Sequence, residues 1–221
     1  MQMLYSKNMT LEEKYWRKAE KAAYYLEAAP FLRMVGVNGS LTSGKINQMS
    51  DIDFLIVTKS KRIFTCRFFV NFIIQILNLK RTNSKIAGRI CLNRYITTDS
   101  LVIYPYDIYH AKVYSTTVPI LDKNIYQKFI DENYWMNNFV EVKKNTEKKH
   151  NKNILLICFC IFFEHLLSGT MGNIIENILK NIQIKKIKNN SLTLKNKGLI
   201  IANDAMLCFH PTSLTRLTKI G

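Results

Sequence analysis

The chain lacks the features that would assign it to several common protein classes. Its five cysteines are odd in number and have no paired C-x-x-C spacing, so neither a disulfide framework nor a zinc site is indicated, and we expect reduced core residues. The first ten residues contain no apolar segment and no cleavage-like site, which argues against secretion and makes the cytoplasm the expected location. A P-loop Gly-Lys-Ser/Thr is absent, and Gly36 and Gly39 are too close for a dinucleotide fingerprint, so kinase and Rossmann functions are set aside.

Acidic residues are scarce relative to basic ones. Asp and Glu number 16 against 32 Lys and Arg, which gives a formal net charge of +16 at pH 7 and a pI of about 9.7. Such an excess predicts an anionic partner, such as nucleic acid, a nucleotide or an acidic glycan. The alternative is compositional drift in a Lys-, Asn- and Ile-rich chain, because many lysines are scattered and the aromatic residues do not interleave with them in a compact motif.

Residues 31–58 form the stretch with the clearest chemistry. Their pattern predicts a strand, a tight turn at Gly39 and Ser40, a connector, and a second strand that begins at Asp51. Because Asp51 and Asp53 are two residues apart, both carboxylates leave the same face of that strand, where Mg²⁺ would offset their repulsion. Gly39 allows close backbone approach, and the turn's N–H groups with the Ser40 hydroxyl can face phosphate oxygens. The alternative is a hairpin whose second strand merely starts with acidic residues.

These motifs resemble the nucleotidyltransferase superfamily of DNA polymerase β. That superfamily has an apolar strand, Gly-Gly or Gly-Ser, a spacer of about ten residues, and then acid-apolar-acid-apolar. The chain departs from this pattern at Asn38, where an apolar residue is usual. Two short motifs extend the likeness to the free-standing bacterial and archaeal nucleotidyltransferase-domain proteins, namely Ile90-Cys91-Leu92-Asn93 and Phe209-His210-Pro211.

The resemblance implies a metal-dependent enzyme. It would transfer the NMP of a nucleoside triphosphate such as ATP to a hydroxyl of an unknown acceptor, with Mg²⁺ or Mn²⁺ as cofactor and pyrophosphate as the leaving group. Asp51 and Asp53 would be the catalytic metal ligands, and Gly39 with Ser40 would bind the triphosphate. The acceptor could be nucleic acid or another anionic molecule. The alternative is a catalytically weak nucleotide- or nucleic-acid-binding module of the same fold.

A third carboxylate, usual in this superfamily on the next core strand, is missing from residues 90–98. Asn93 can stand there as a neutral oxygen ligand, Asp107 or Asp99 can reach in from beyond the strand, or the site can be degenerate and bind nucleotide without turnover. Asp107 is more often a helix N-cap than a ligand. His210 is more readily explained as a packed or capping residue than as part of a site.

The order of predicted strands and helices indicates an α/β (α+β) fold, and the resemblance implies that a small mixed sheet carries flanking helices, with a C-terminal helical part. Residues 1–140 would form the nucleotidyltransferase core with an N-terminal helix. Residues 141–221 would form a basic linker and a C-terminal helical region, since 141–153 is rich in charge and asparagine. The oligomeric state is not predicted.

Individual elements are predicted with the following bounds. Further strands are expected at 90–97, 101–104 and 205–211. The 63–79 segment is expected to be a crossover helix, although it could lie on a membrane surface, and no stable membrane insertion is expected because 154–167 is too short to span a bilayer. The other helices are expected from Thr10 up to Pro30, from an N-cap at Asp107, over 125–139, and as a hairpin of 154–167 and 174–187 with its corner at Gly169 and Gly172.

Overall fold

A computed structural model describes residues 9–148, 152–189 and 199–210. These residues form a mixed six-stranded sheet with helices on both faces, so the predicted α+β class is confirmed. The helices are α1 (Leu11–Leu26), α2 (Ile63–Ile76), α3 (Ile108–Tyr114), α4 (Tyr126–Glu132), α5 (Ile154–Leu166) and α6 (Gly169–Lys188), with a 3₁₀ helix at Tyr134–Asn138. The strands are β1 (Leu32–Asn38), β2 (Ile52–Thr58), β3 (Ile90–Thr97), β4 (Val118–Asp122), β5 (Leu199–Ala202) and β6 (Met206–His210).

The strand order is β4-β1-β2-β3-β6-β5. Strands β2 and β3 are parallel and are connected through α2, as expected for a crossover, whereas every other neighbouring pair is antiparallel. Because β6 pairs with β3, the region after residue 141 contributes strands to the same sheet as the region before it. The two central parallel strands therefore start side by side at one end of the sheet.

Each face of the sheet carries its own hydrophobic core. Phe54 and Ile56 of β2 point to the first core, which α1, α2 and parts of α5 and α6 cover. Leu55 and Val57 point to the second core, which α3 and α4 cover. This alternation follows from the two-residue period of a strand. All four side chains are fully buried, so the residues at the start of β2 are supported by a closely packed strand.

Several helix ends are fixed by carboxylates. Helix α1 begins after Thr10, as predicted, and Thr10 and Glu13 form a capping box there. The start of α2 has no cap from its own segment, and Glu176 of α6 supplies one by accepting hydrogen bonds from the backbone N–H groups of Phe64 and Thr65, each at 2.8 Å. A buried carboxylate at a helix N-terminus accepts hydrogen bonds from otherwise unpaired N–H donors, and its negative charge interacts favourably with the helix dipole. Glu176 thus links the C-terminal region to the crossover helix.

Three element predictions are wrong. The single helix expected over 125–139 is instead α4 followed, after Asn133, by the 3₁₀ helix Tyr134–Asn138. Residues 101–104 form no strand, because Asn133 occupies their backbone groups: its side chain accepts from the Ile103 N–H at 2.7 Å and donates to the Leu101 carbonyl at 2.9 Å. Helices α5 and α6 do not form a hairpin, since they are bent by 95° relative to each other and α6 starts at Gly169. Gly172 permits this corner, because an added Cβ would collide with the Leu167 carbonyl.

In the described part of the chain, no single helix has both the length and the apolar character to cross a membrane. The pair α5 and α6 meets that test only jointly, across its 95° bend.

The carboxylate of Glu176 should contribute measurably to stability. We expect Glu176→Ala to lower the free energy of unfolding by about 2 kcal/mol or more, because it leaves buried N–H donors of α2 unpaired, and Glu176→Gln to have a smaller effect since an amide oxygen can still accept. The matched control is Glu132→Ala, which removes only a partly exposed pair with Lys128 and should change stability by less than about 0.5 kcal/mol. Urea unfolding measures all three, and equal losses for Glu176→Ala and the control would contradict the capping role.

Candidate metal and nucleotide site

The predicted carboxylates lie where three strands meet. Asp51 immediately precedes β2 and Asp53 is its second residue, with Asn38 of β1 opposite Asp53 on one side and Cys91 of β3 opposite it on the other. Asp51 and Asp53 are both partly exposed, in contrast to the buried remainder of β2. The start of β2 thus presents two carboxylates at an accessible edge of a closely packed sheet.

A bulge in β3 brings Asn93 to this edge. Asp53 pairs with Cys91 and Leu55 pairs with Arg94, so β3 contains one more residue than β2 over this interval. The Asn93 side-chain amide donates to Asp53 Oδ1 at 2.9 Å. Asn93 therefore lies at the same edge as the carboxylates and contacts Asp53 as a donor.

The bulge also turns Arg94 into the second core. This side chain is fully buried, its Nη2 donates to the Tyr104 carbonyl at 2.8 Å, and its guanidinium lies 5.4 Å from the centre of the Tyr114 ring. Burial raises the pKa of Tyr114, Arg94 opposes that rise, and the negative charge of Asp53 adds to it. Behind the carboxylates the protein therefore holds a neutral tyrosine and a buried cation.

Two residues join the site that sequence reasoning did not assign to it. Ligand atoms of Asp51, Asp53 and Cys91 all lie within 4.8 Å of one another. Arg81, from the loop before β3, forms an ion pair with Asp51 at 2.7 Å and donates to the Cys91 sulfur at 3.3 Å. Cys91 reaches the site through strand pairing, because it lies opposite Asp53 on β3. Nothing in the local sequence distinguishes Arg81 from the other cations of its loop.

Cys91 contributes a protonated thiol rather than a thiolate. Burial raises its pKa to about 12, and the neighbouring charges of Asp53 and Asp51 act in the same direction while Arg81 opposes them. The two carboxylates match the oxygen preference of Mg²⁺ and Mn²⁺, whereas a cysteine sulfur is a softer donor that suits other metals.

The Gly39 turn lies directly against Asp53. Gly39 has a φ of +75°, a conformation that glycine adopts without strain, and an added Cβ would lie 2.7 Å from Asp53 Oδ2. Ser40 follows at a partly exposed position, and the turn closes through hydrogen bonds from the Ser43 N–H to the Gly39 carbonyl and from the Lys45 N–H to the Ser40 carbonyl. The structure thus brings the Gly-Ser turn and the carboxylate pair together.

Asn38, the residue that departs from the superfamily pattern, is buried and has a specific partner. Its side-chain oxygen accepts from the Thr117 hydroxyl at 2.7 Å, and nearby the hydroxyls of Thr42 and Thr116 are 2.9 Å apart. A buried amide with a hydrogen-bond partner costs little stability. These two contacts tie both ends of the Gly39 turn to residues 116–117.

The other candidates lie elsewhere. Asp107 is the N-cap of α3, where Oδ1 accepts from the His110 backbone N–H and lies 2.8 Å from His110 Nδ1, and it is not part of the carboxylate cluster. Asp99 follows β3, whose last residue, Thr97, pairs with Thr58 at the C-terminal end of β2. Since Asp53 is at the start of β2, Asp99 lies at the other end of the sheet. His210 is the last residue of β6, and Pro211 lies outside the described residues.

Two glycines with nearly equal φ angles allow a test of whether the Gly39 turn belongs to the site. Gly39 and Gly44 have φ of +75° and +70°, but only Gly39 has a close neighbour, since nothing lies within 4 Å of a Cβ added at Gly44. We expect Gly44→Ala to lower stability by about 1 kcal/mol through backbone strain alone, and Gly39→Ala to lower it by about 1–2 kcal/mol more because the methyl group displaces Asp53. Gly39→Ala should also weaken binding of a nucleoside triphosphate with Mg²⁺, measured by calorimetry. If Gly39→Ala and Gly44→Ala have the same stability and the same triphosphate affinity, the Gly39 turn is not part of the binding site.

No protein-family model, curated protein or solved structure matches this chain. What the site does is therefore inferred from its own geometry and chemistry.

Proposed function

We propose that this protein is a metal-dependent nucleotidyltransferase that moves an NMP from a nucleoside triphosphate to a hydroxyl group of an acceptor. The observation that carries the proposal is the convergence of Asp51 and Asp53, with ligand atoms within 4.8 Å, beside a glycine turn that approaches Asp53 too closely for any side chain. Oxygen ligands for a divalent cation and a surface for phosphate are thereby adjacent, as this chemistry requires.

The chemical step is a displacement at the α-phosphorus. The acceptor hydroxyl oxygen forms a bond to that phosphorus, the bond to the pyrophosphate oxygen breaks, and the hydroxyl proton passes to solvent or to a nearby base. When bound, Mg²⁺ or Mn²⁺ would neutralise charge on the phosphate oxygens and orient the attacking and leaving oxygens. Asp51 and Asp53 would hold the cation, because they supply the clustered oxygen donors of this site.

Three further groups would position the triphosphate. Backbone N–H groups of the Gly39 turn would donate to phosphate oxygens, and the Ser40 hydroxyl at the next position would donate a further hydrogen bond. Arg81, now paired with Asp51, offers several N–H donors that fit phosphate oxygens. A cation bound by Asp51 would replace Arg81 as its counter-charge, which would release the guanidinium towards the nucleotide.

A second candidate function is a nucleotide- or nucleic-acid-binding module of the same fold with little or no turnover. Two observations favour it: Arg81 already neutralises Asp51, and the third strand offers the amide of Asn93 in place of a carboxylate. Removing one charge from a metal site weakens cation binding. The net charge of +16 would then serve binding of an anionic partner.

Charge removal at the two carboxylates distinguishes these functions. We expect Asp51→Asn and Asp53→Asn each to reduce label transfer from an α-³²P nucleoside triphosphate by at least about 100-fold while the fold persists, because each removes a metal-binding charge and little packing. The assay pairs each of the four triphosphates and Mg²⁺ or Mn²⁺ with total RNA, protein or small-molecule acceptors. Asp99→Asn is the matched control, since its carboxylate lies at the other end of the sheet.

Undiminished transfer by both variants would overturn the proposed site. Absence of transfer by the wild type, together with triphosphate binding that Asp51→Asn and Asp53→Asn abolish, would favour the binding module over the enzyme.

A further inference from the structure

Helix α5 exposes an unusually apolar face. Ile154 and Leu155 are each 74% exposed and Ile161 and Phe162 are each 62% exposed, and their spacing places them on one side of the helix. The opposite side contains Cys160, the only α5 residue that is buried, together with residues that pack on the first core. Contiguous apolar surface of this kind marks an interaction site.

Helix α6 also exposes an apolar stripe, and its last turn carries cations. Its exposed apolar residues recur at helical spacing and are 52–63% exposed: Met171, Ile174, Ile178 and Ile182. Beyond the stripe, the last turn carries the exposed residues Lys185, Lys186 and Lys188. The exposed residues of α5 and α6 together are termed here the α5–α6 outer face.

Carboxylates are turned away from this face. Residues 152–189 contain five lysines and two acidic residues, Glu164 and Glu176. Glu164 accepts from the Phe31 backbone N–H at 2.7 Å and forms an ion pair with Arg33 at 2.8 Å, which holds the pKa of Glu164 below its ordinary value despite the opposing effect of burial. Glu176 is 8% exposed and caps α2. Both acids are thus committed to internal contacts, and the outer face is apolar and cationic.

We propose that the α5–α6 outer face docks this protein onto the surface of an anionic lipid bilayer. Helices that lie in a membrane interface combine an apolar face, buried in the headgroup and acyl boundary, with lysines that attract anionic lipids. Two helices related by a 95° bend can both lie along one flat surface, and neither needs to span the bilayer. This inference is independent of the nucleotidyltransferase proposal.

Charge favours a bilayer over a second copy of the chain. Each copy carries a net charge of +16, and residues 152–189 offer a facing copy no exposed carboxylate to pair with its lysines. An anionic bilayer supplies both the apolar medium and the opposite charge, and binding to it requires no shape complementarity.

The test is flotation of the purified full chain with vesicles of phosphatidylcholine alone or with 30% phosphatidylglycerol. We expect the chain to float with the anionic vesicles at low salt and at least tenfold less with neutral ones. The double variant Ile161→Ser with Phe162→Ser should reduce binding to anionic vesicles at least tenfold, as should the triple variant Lys185→Gln, Lys186→Gln and Lys188→Gln. Tyr134→Ser is the matched control, since it removes a side chain that is 73% exposed on a 3₁₀ helix packed on the other core.

Thermal unfolding by circular dichroism verifies that each variant folds, and the lysine variant alters no packed side chain. Failure of the wild type to bind anionic vesicles, or equal binding by the wild type and both multiple variants, would overturn the proposal. A dimer that the Ile161/Phe162 variant dissociates in analytical ultracentrifugation, without vesicle binding by the wild type, would assign the face to a second copy instead.

Discussion

Repulsion between two carboxylates at the start of β2 is the interaction on which the candidate site depends. Asp51 and Asp53 have ligand atoms within 4.8 Å, a distance at which like charges are costly unless a counter-charge is present. The protein supplies part of that counter-charge from Arg81 and a hydrogen bond from Asn93. Asp51 and Asp53 lie on the accessible edge of the sheet, where a bound cation could offset their repulsion in the same way.

The rigidity of that edge depends on contacts from distant parts of the chain. The two parallel strands are joined by α2, and the N-terminus of α2 is capped by Glu176 from a segment more than one hundred residues later. Glu164 in the same region bonds the backbone just before β1. The C-terminal helices therefore stabilise the strands that carry the site, and their committed acids leave an outer face of apolar and cationic residues.

Local patterns predicted much of the fold and part of the site. The apolar strands around Gly39 and Asp53, and the start of a helix at Thr10, follow from short-range spacing and side-chain chemistry, and the structure contains each of them. Local patterns could not predict that Arg81 and Cys91 join Asp51, since those contacts depend on strand register and a bulge. The apolar residues of 101–104 resemble a strand, but Asn133, about thirty positions away, takes their hydrogen bonds.

The most direct test of the carboxylate site is the metal dependence of stability in Asn93→Asp. This substitution places a third carboxylate where an amide now donates to Asp53 at 2.9 Å, so without metal it should lower stability by about 1–3 kcal/mol. Urea unfolding in EDTA and in Mg²⁺ measures the effect. Our account predicts that Mg²⁺ restores most of the lost stability in the variant and changes the wild type less. A deficit that Mg²⁺ leaves unchanged would contradict the assignment of this edge as a metal site.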